Sequence, residues 1–233
     1  MTARQRRRAA GSGVATDPHI ASVRLLLHFG GADASTTFTD SSPYAEAVTA
    51  SGNAQIDTAQ SKFGGSSGLF DGTGDYLFVD GDTDFAFGTG DFTIEAFIRR
   101  NASGAVHVLY DSRSGATDNH PLFYVNASNV LIFHGFNATR ITGTTTISTG
   151  TWYHVAVSRV SGTTRMFLDG VKEGSSYTDS NNYGNNGTNR PILCADRAGA
   201  QAFNGWMDEL RVTVGVGRYS AGFTPPSAAF PDI

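Results

Sequence analysis

The chain of 233 residues has one cysteine, Cys194, so no disulfide can form within it. Cysteine usage gives no sign of an oxidising compartment. Cys194 lies in the apolar run Pro191-Ile-Leu-Cys-Ala195, which reads as a small buried hydrophobe rather than a nucleophile. No apolar run approaches the ~20 residues of a membrane-spanning helix. The basic N-terminus runs into Ala10-Gly-Ser-Gly-Val-Ala-Thr-Asp-Pro18 and not into an apolar stretch, so no secretory signal is expected. Lysine and glutamate are scarce, which disfavours long helices. The six histidines show no H-x-x-x-H spacing, so a zinc site is not expected. Paired carboxylates in the Glu-x-Asp-x-x-Glu pattern of glycan hydrolases are missing as well: Glu95 stands alone on its stretch, and Glu209 lies beside Asp208 on a different one.

What is abundant points to an all-β chain. It has 28 glycines and 16 phenylalanines, with many Thr, Ser and Asn, a composition suited to short strands and tight turns. Ser67–Arg100 reads as three strands separated by Asp/Gly turns. In the last of them Phe92, Ile94, Ala96 and Ile98 alternate with Thr93, Glu95, Phe97 and Arg99, the period-two signature of a strand. Tyr76 and Phe78 against Leu77 and Val79 make a strand apolar on both faces, the mark of a central position. Further strands are expected over 23–29, 36–39, 54–58, 106–111, 122–125, 130–133, 139–147 and 152–159. Residues 164–168 and 171–173 should form a hairpin across Asp169-Gly170. In 203–214 the inward parity changes between Met207 and Leu210, which predicts a β-bulge at Asp208-Glu209. The Pro225-Pro226…Pro231 tail should lie across the surface. With no repeat period and no internal linker, residues 19–233 read as one β-sandwich.

Charge is unevenly placed. The formal net charge is −4, yet Arg4, Arg6, Arg7 and Arg8 make the first residues basic, so residues 1–18 form a basic arm on an acidic body. Such an arm is a partner-docking element or a solvated tail. No aromatic interleaves with these arginines, so nucleic acid is not the expected partner.

Four stretches in order resemble the LamG-like jelly roll of the concanavalin A-like lectin/glucanase superfamily. They are Phe63-Gly-Gly-Ser-Ser-Gly-Leu-Phe-Asp-Gly72 running into Asp75-Tyr76; Phe92-Thr-Ile-Glu-Ala-Phe97; Trp152-Tyr-His-Val-Ala156 with Met166-Phe-Leu-Asp-Gly170; and Phe203-Asn-Gly-Trp-Met-Asp-Glu-Leu-Arg211. The resemblance implies a two-sheet antiparallel jelly-roll sandwich with binding loops at its rim. It also implies a structural calcium that would join the last strand to early loops through Asp208, with Asp71 nearby; the plainer role for Asp208 is a hydrogen bond to the neighbouring turn. The ending Arg211-Val-Thr-Val-Gly-Val-Gly-Arg-Tyr219, with Phe223-Thr-Pro-Pro226 and Phe230-Pro231, is similar to one common in LamG-like proteins of tailed bacteriophages. It implies a non-enzymatic virion surface protein (capsid decoration, head fibre or tail fibre or spike component) made in the host cytoplasm and present in multiple copies. Its N-terminal arm would hold other virion proteins, and host glycans would be its outward ligands. A free carbohydrate-binding lectin module is the alternative, and a glycan hydrolase the weaker one.

Sugar binding needs a ring face to stack on and planar polar groups to read hydroxyls. The loop holding Asn182, Tyr183 and Asn185 has both, as does the loop flanked by Asp111 and containing Asp118. Asn and Gly are also what any long turn requires.

Overall fold

The computed structural model describes residues 16–80, 82–115, 118–184, 187 and 189–232. Arg4, Arg6, Arg7, Arg8 and Asn185 lie outside the described residues. Among the described residues fifteen strands follow in order: β1 (Val23–Leu27), β2 (Val48–Ser51), β3 (Gln55–Asp57), β4 (Ser67–Asp71), β5 (Tyr76–Val79), β6 (Phe92–Arg100), β7 (His107–Asp111), β8 (Leu122–Val125), β9 (Leu131–Gly135), β10 (Ala138–Thr142), β11 (Trp152–Val160), β12 (Thr163–Leu168), β13 (Val171–Thr178), β14 (Ile192–Leu193) and β15 (Asn204–Val214). All pairings between them are antiparallel. They form an eight-stranded sheet, β13-β12-β11-β6-β15-β4-β3 with β1 also on β15, and a seven-stranded sheet, β10-β9-β8-β7-β14-β5-β2. This is the β-sandwich that the residue pattern implied, with the two-sheet jelly-roll form that the resemblance implied.

The core lies between the sheets. Phe92, Ile94, Ala96 and Ile98 of β6 meet Leu77, Leu109, Phe123 and Phe133 of the facing sheet. Phe92 stacks on Phe87 with ring centroids 4.4 Å apart; each such fully buried side chain contributes about 1.5–3 kcal/mol. The bulge on β15 falls where the parity change placed it. The register with β6 shifts between Asp208 and Arg211, Glu209 has φ 51°, and Met207 and Leu210 both point into the core. The bulge also divides the edge of β15. Residues 204–207 pair with β4 and residues 210–213 with β1. Asp169 (φ 46°) and Gly170 (φ 75°) close the β12–β13 hairpin, both left-handed as a primed turn demands.

Two expected strands differ. Residues 36–39 form no strand: the Thr37 N–H turns to the Ser35 hydroxyl, and Phe38 drops into the core. The Asp40 carboxylate then accepts the N–H groups of Leu26, Ser42 and Glu46. The stretch over 139–147 stops pairing at Thr142; beyond it the Glu173 carboxylate accepts the N–H groups of Thr144 and Thr145 and both hydroxyls. At Thr144 and Thr145 a carboxylate thus replaces a neighbouring strand as acceptor.

The outer face of β6 is covered around Thr93 and Glu95. Residues 216–223 cross it, held by a buried ionic network. Glu95 Oε1 accepts Arg211 Nε (3.0 Å) and Nη2 (2.8 Å), and Oε2 accepts Tyr219 Oη (2.7 Å) and His154 Nε2 (3.1 Å). Arg211 and Arg218 both reach Asp17, at 2.9 and 2.7 Å. Tyr219 and Phe223 stack over this face, and Phe223 meets the Phe167 ring.

Candidate functional site

The outer face of the seven-stranded sheet carries the aromatic side chains that alternate with core positions. Tyr76 and Phe78 of β5 and Tyr124 of β8 point away from the core and are half-buried. They lie on either side of a short ridge, residues 195–201. Asp196 builds that ridge: its Oδ1 accepts the N–H groups of Ala198 and Ala200, both at 2.9 Å, while its own N–H and carbonyl pair with Ala200 and Gly199. Gly199 (φ 74°) rests on the Tyr76 ring, where a Cβ would approach Cε1 to 2.9 Å. Buried Ile192, Ala195 and Ala202 fasten the base of the ridge to Tyr76 and Phe78.

The ridge leaves a hollow with two lobes. One, of about 270 Å³, is lined by Tyr76, Phe78, Arg190 and Arg197 among others. The second, of about 390 Å³, is lined by Arg113, Tyr124, His134, Asp196, Arg197 and Gln201, with Val106 and Leu122. Arg197 borders both. His134 Nε2 is buried without a hydrogen-bond partner. Burial, then the Arg113 charge, pushes the His134 imidazole below its ordinary range, so it is neutral near pH 7 and donates or accepts one hydrogen bond. Arg190 Nε is likewise buried and unpartnered. Half-buried rings beside planar polar groups are the ingredients of a sugar subsite.

Asp111, read from the sequence as a sugar contact, has a different task. It is fully buried. Its two oxygens accept Arg113 N (2.9 Å), Nε (2.9 Å) and Nη2 (2.7 Å), and Arg197 N (2.9 Å). It aims one arginine into the hollow and ties the ridge to β7. Tyr183 is also a correction. Its ring is fully buried in the core, edge-on to Phe92 and 5.0 Å from the Arg159 guanidinium, and its hydroxyl donates to Asp179. It offers no face to a ligand. A tyrosine after Ser180-Asn-Asn182 in a long polar loop looked exposed, but Tyr183 bridges to Gly88 and drops inward. Asn182 beside it is exposed.

Asp118 is bonded within its own loop, to Ser114 N and Oγ, His120 N and His120 Nδ1. Burial would raise its carboxyl, but these bonds outweigh burial and hold it below the usual carboxylate range. His120 Nε2 donates to Gly184 O at 2.8 Å, so the two loops chosen from sequence do meet, on structural rather than ligand contacts. The residues that line the hollow were missed. The available signal was the outward aromatic in Leu122-Phe-Tyr-Val125 and in Tyr76-Leu-Phe-Val79.

Asp208 and Asp71 do not form a calcium site together. Asp71 pairs opposite Asn204, four residues from Asp208, or about 13 Å along the strand. Asp208 is buried, and its Oδ2 accepts Lys62 N (2.7 Å) and Phe63 N (3.0 Å), while Oδ1 has no partner. One free carboxylate oxygen falls far short of the six to eight that calcium takes. No group of three or more His, Cys, Asp or Glu side chains could hold a metal among the described residues. The turn-bonding role of Asp208 fits these bonds.

Glu95 has no second carboxylate across a cleft and no free oxygen lone pair aimed at solvent, because the tail covers it. Burial would raise its carboxyl. The Arg211 charge and the His154 and Tyr219 hydrogen bonds reverse this and bring it down to about 2. Gly64-Gly-Ser-Ser-Gly68 has the spelling of a nucleophile elbow, but Ser66 Oγ is buried and donates to Phe29 O at 2.9 Å, on the way into a strand and away from any base.

Residues 71–215 match a family model described as the concanavalin A-like lectin/glucanases superfamily. No curated protein sequence matches the chain. Several solved structures share the fold. The binding domain of Paraclostridial Mosquitocidal Protein 1 superposes with a TM-score of 0.60 at 15% identity, over 91% of this chain and 50% of that one. The binding domain of Botulinum Neurotoxin DC in complex with SialylT gives 0.60 at 16%, over 91% and 50%. Domain 4 of AbnA, a GH43 extracellular arabinanase from Geobacillus stearothermophilus, in complex with arabinotriose, gives 0.60 at 16%, over 84% and 94%. This chain therefore spans about half the length of the toxin binding domains.

Proposed function

Since the chain belongs to the concanavalin A-like lectin/glucanase superfamily, with its lectin-like fold, we propose that it is a non-enzymatic glycan-binding module whose sugar site is the two-lobed hollow on the seven-stranded sheet. The hollow itself carries the reading: outward Tyr76, Phe78 and Tyr124 supply ring faces, and Arg197, Gln201 and neutral His134 supply planar polar groups in the same depression. The buried Asp111 carboxylate preorganises Arg113 and the ridge, so few side chains must be ordered on binding. Neighbouring folds solved with SialylT or arabinotriose support the choice of ligand class. A glycan array followed by titration calorimetry tests it. Specific oligosaccharide binding should appear and be lost in Tyr124→Ala with the melting temperature retained. An array without hits, or hits indifferent to Tyr124→Ala, overturns it.

The second reading is a virion surface component, placed on a phage particle by the basic arm that contains Arg4, Arg6, Arg7 and Arg8. One observation favours it. The ending that resembles phage proteins is the segment whose Arg218, with Arg211, clamps Asp17, so the arm departs from a rigid base. Deleting residues 1–15 should abolish incorporation into particles and leave the domain folded. Normal incorporation of the truncated chain refutes this anchoring role.

A further inference from the structure

The eight-stranded sheet has an outward row that the C-terminal tail leaves uncovered. Trp152 of β11 pairs opposite Arg99 of β6, and Arg99 pairs opposite Trp206 of β15. Directly opposed residues of antiparallel strands share a face, so both tryptophans of the chain flank one arginine on one surface. All three are half-buried. Two strand spacings put the tryptophan backbones about 10 Å apart, a span on the scale of two linked pyranose rings.

The row is preorganised. Trp206 Nε1 donates to Asp57 Oδ2 at 2.7 Å, which fixes the indole, and the Arg99 guanidinium lies 5.0 Å from the Trp206 ring centroid. The turn leading into Trp152 is docked by Gly150 N donating to Arg100 O at 2.8 Å, and Gly150 flanks the Arg99 Nη2. One step along the same face, the exposed Lys62 ammonium stands 5.6 Å from the Phe63 ring and 5.2 Å from the Phe97 ring.

The unpaired charges on this surface are cationic. Among the described residues neither guanidinium nor ammonium here makes an ion pair or a side-chain hydrogen bond; their contacts are with rings. The carboxylates beside them are occupied. Asp57 holds Trp206 and the Ala59 N–H, and Asp208 is buried under the Lys62 and Phe63 N–H groups. Asp71, at the far end of β4, accepts the Thr73 N–H. Ring faces interleaved with unpaired cations are complementary to a ligand with sugar faces and negative charge. A guanidinium meets a carboxylate with two parallel hydrogen bonds.

We propose that Trp152, Arg99, Trp206, Phe63 and Lys62 form a second binding surface, for carboxylated glycans. The sugar rings stack on the indoles and a ring carboxylate pairs with Arg99. This surface lies on the sheet opposite the hollow and stands or falls separately from it. The carboxylate has two chemical sources, uronic acids and sialic acids, which the assay separates.

Both tryptophans lie in the surface, so intrinsic tryptophan fluorescence reports its occupancy directly. The full chain is titrated at low salt with oligogalacturonate, with sialyllactose, and with neutral cello-oligosaccharide. A saturable fluorescence change is expected with one acidic sugar, at least about tenfold tighter than with the neutral one, weakened by salt and lost in Arg99→Gln. Response to the first sugar assigns uronates, and response to the second assigns sialic acids. Tyr124→Ala should leave this response intact, which separates it from the hollow. Arg99 is exposed enough that Arg99→Gln should fold, checked by near-ultraviolet circular dichroism; Lys62→Gln gives an independent, smaller loss. No fluorescence change at millimolar acidic sugar, equal affinity for the neutral one, or binding unaffected by Arg99→Gln each overturns the proposal.

Discussion

Replacing Asp208 by asparagine should stabilise the protein above neutral pH, an unusual outcome for a fully buried polar residue. Burial pushes the Asp208 carboxyl up from 3.8 to about 7, despite the Phe63 and Lys62 N–H groups, and the nearby Glu209 charge adds to the rise. A carboxyl whose folded pKa is raised holds its proton in the folded state after the unfolded chain has lost it. Its contribution is therefore most favourable below pH 3.8 and is lost as pH rises toward 7. A shift of about three units corresponds to about 4 kcal/mol. Asparagine keeps an oxygen for the two N–H groups and never ionises. Urea unfolding followed across pH 4 to 8 should show wild-type stability falling through this window more steeply than that of Asp208→Asn. The variant should lie within about 1 kcal/mol of wild type near pH 4 and be more stable by about 2–4 kcal/mol near pH 8. His28, raised mainly by its hydrogen bond to Glu209 and also by the Asp208 charge, adds stability at low pH in both proteins, somewhat less in Asp208→Asn. If Asp208→Asn is no more stable near pH 8, the protonated-carboxyl argument is wrong. If calcium stabilises wild type near pH 8 and not the variant, Asp208 Oδ1 is a cation ligand.

Two further substitutions probe the tail and the ridge. Glu95→Gln removes the charge that pairs with Arg211 in a buried setting, so a loss of about 3–5 kcal/mol is expected, with faster amide exchange over 216–223. Because the Glu95 carboxyl is lowered to about 2 from 4.5, its contribution is complete above pH 4.5 and disappears as pH falls toward 2, so wild type and variant should converge in acid; a constant gap would refute the assignment. Gly199→Ala places a Cβ against the Tyr76 ring at a left-handed backbone position, costing about 1–2 kcal/mol and weakening glycan binding in the hollow. An unchanged melting temperature would mean that the ridge does not rest on Tyr76.

The architecture was legible because it rests on local rules. The alternation through β6, the Asp169-Gly170 turn and the parity change at Asp208-Glu209 each follow from period two and from where a residue can bear positive φ. The strand expected over 36–39 did not form, and the one expected over 139–147 stopped at Thr142. Glu173 supplies, from a distant position, the acceptor that a neighbouring strand would have supplied to Thr144 and Thr145, and nothing in the local sequence shows that it will arrive.

Site residues were harder to read, because stacking surfaces and core rings use the same amino acids. Tyr183, in the most polar loop of the chain, turns inward because Asp179 can take its hydroxyl and Arg159 can lie over its ring. Tyr76 and Phe78, in a strand apolar on both faces, look like core and instead carry the ridge. The alternation does show which residues share a face, but it does not show whether a loop will cover that face. Segment 216–223 covers Glu95, the loop at Lys62 and Phe63 covers Asp208, and neither reaches Trp152 and Trp206. Strand period thus placed Thr93, Glu95, Phe97 and Arg99 on one side of β6, while long-range contacts decided their fates: Glu95 became a tail anchor and Arg99 was left with aromatic neighbours and an unpaired charge. What separates the residues able to meet a ligand from those that hold the fold is which polar atoms remain unpartnered once every segment has docked.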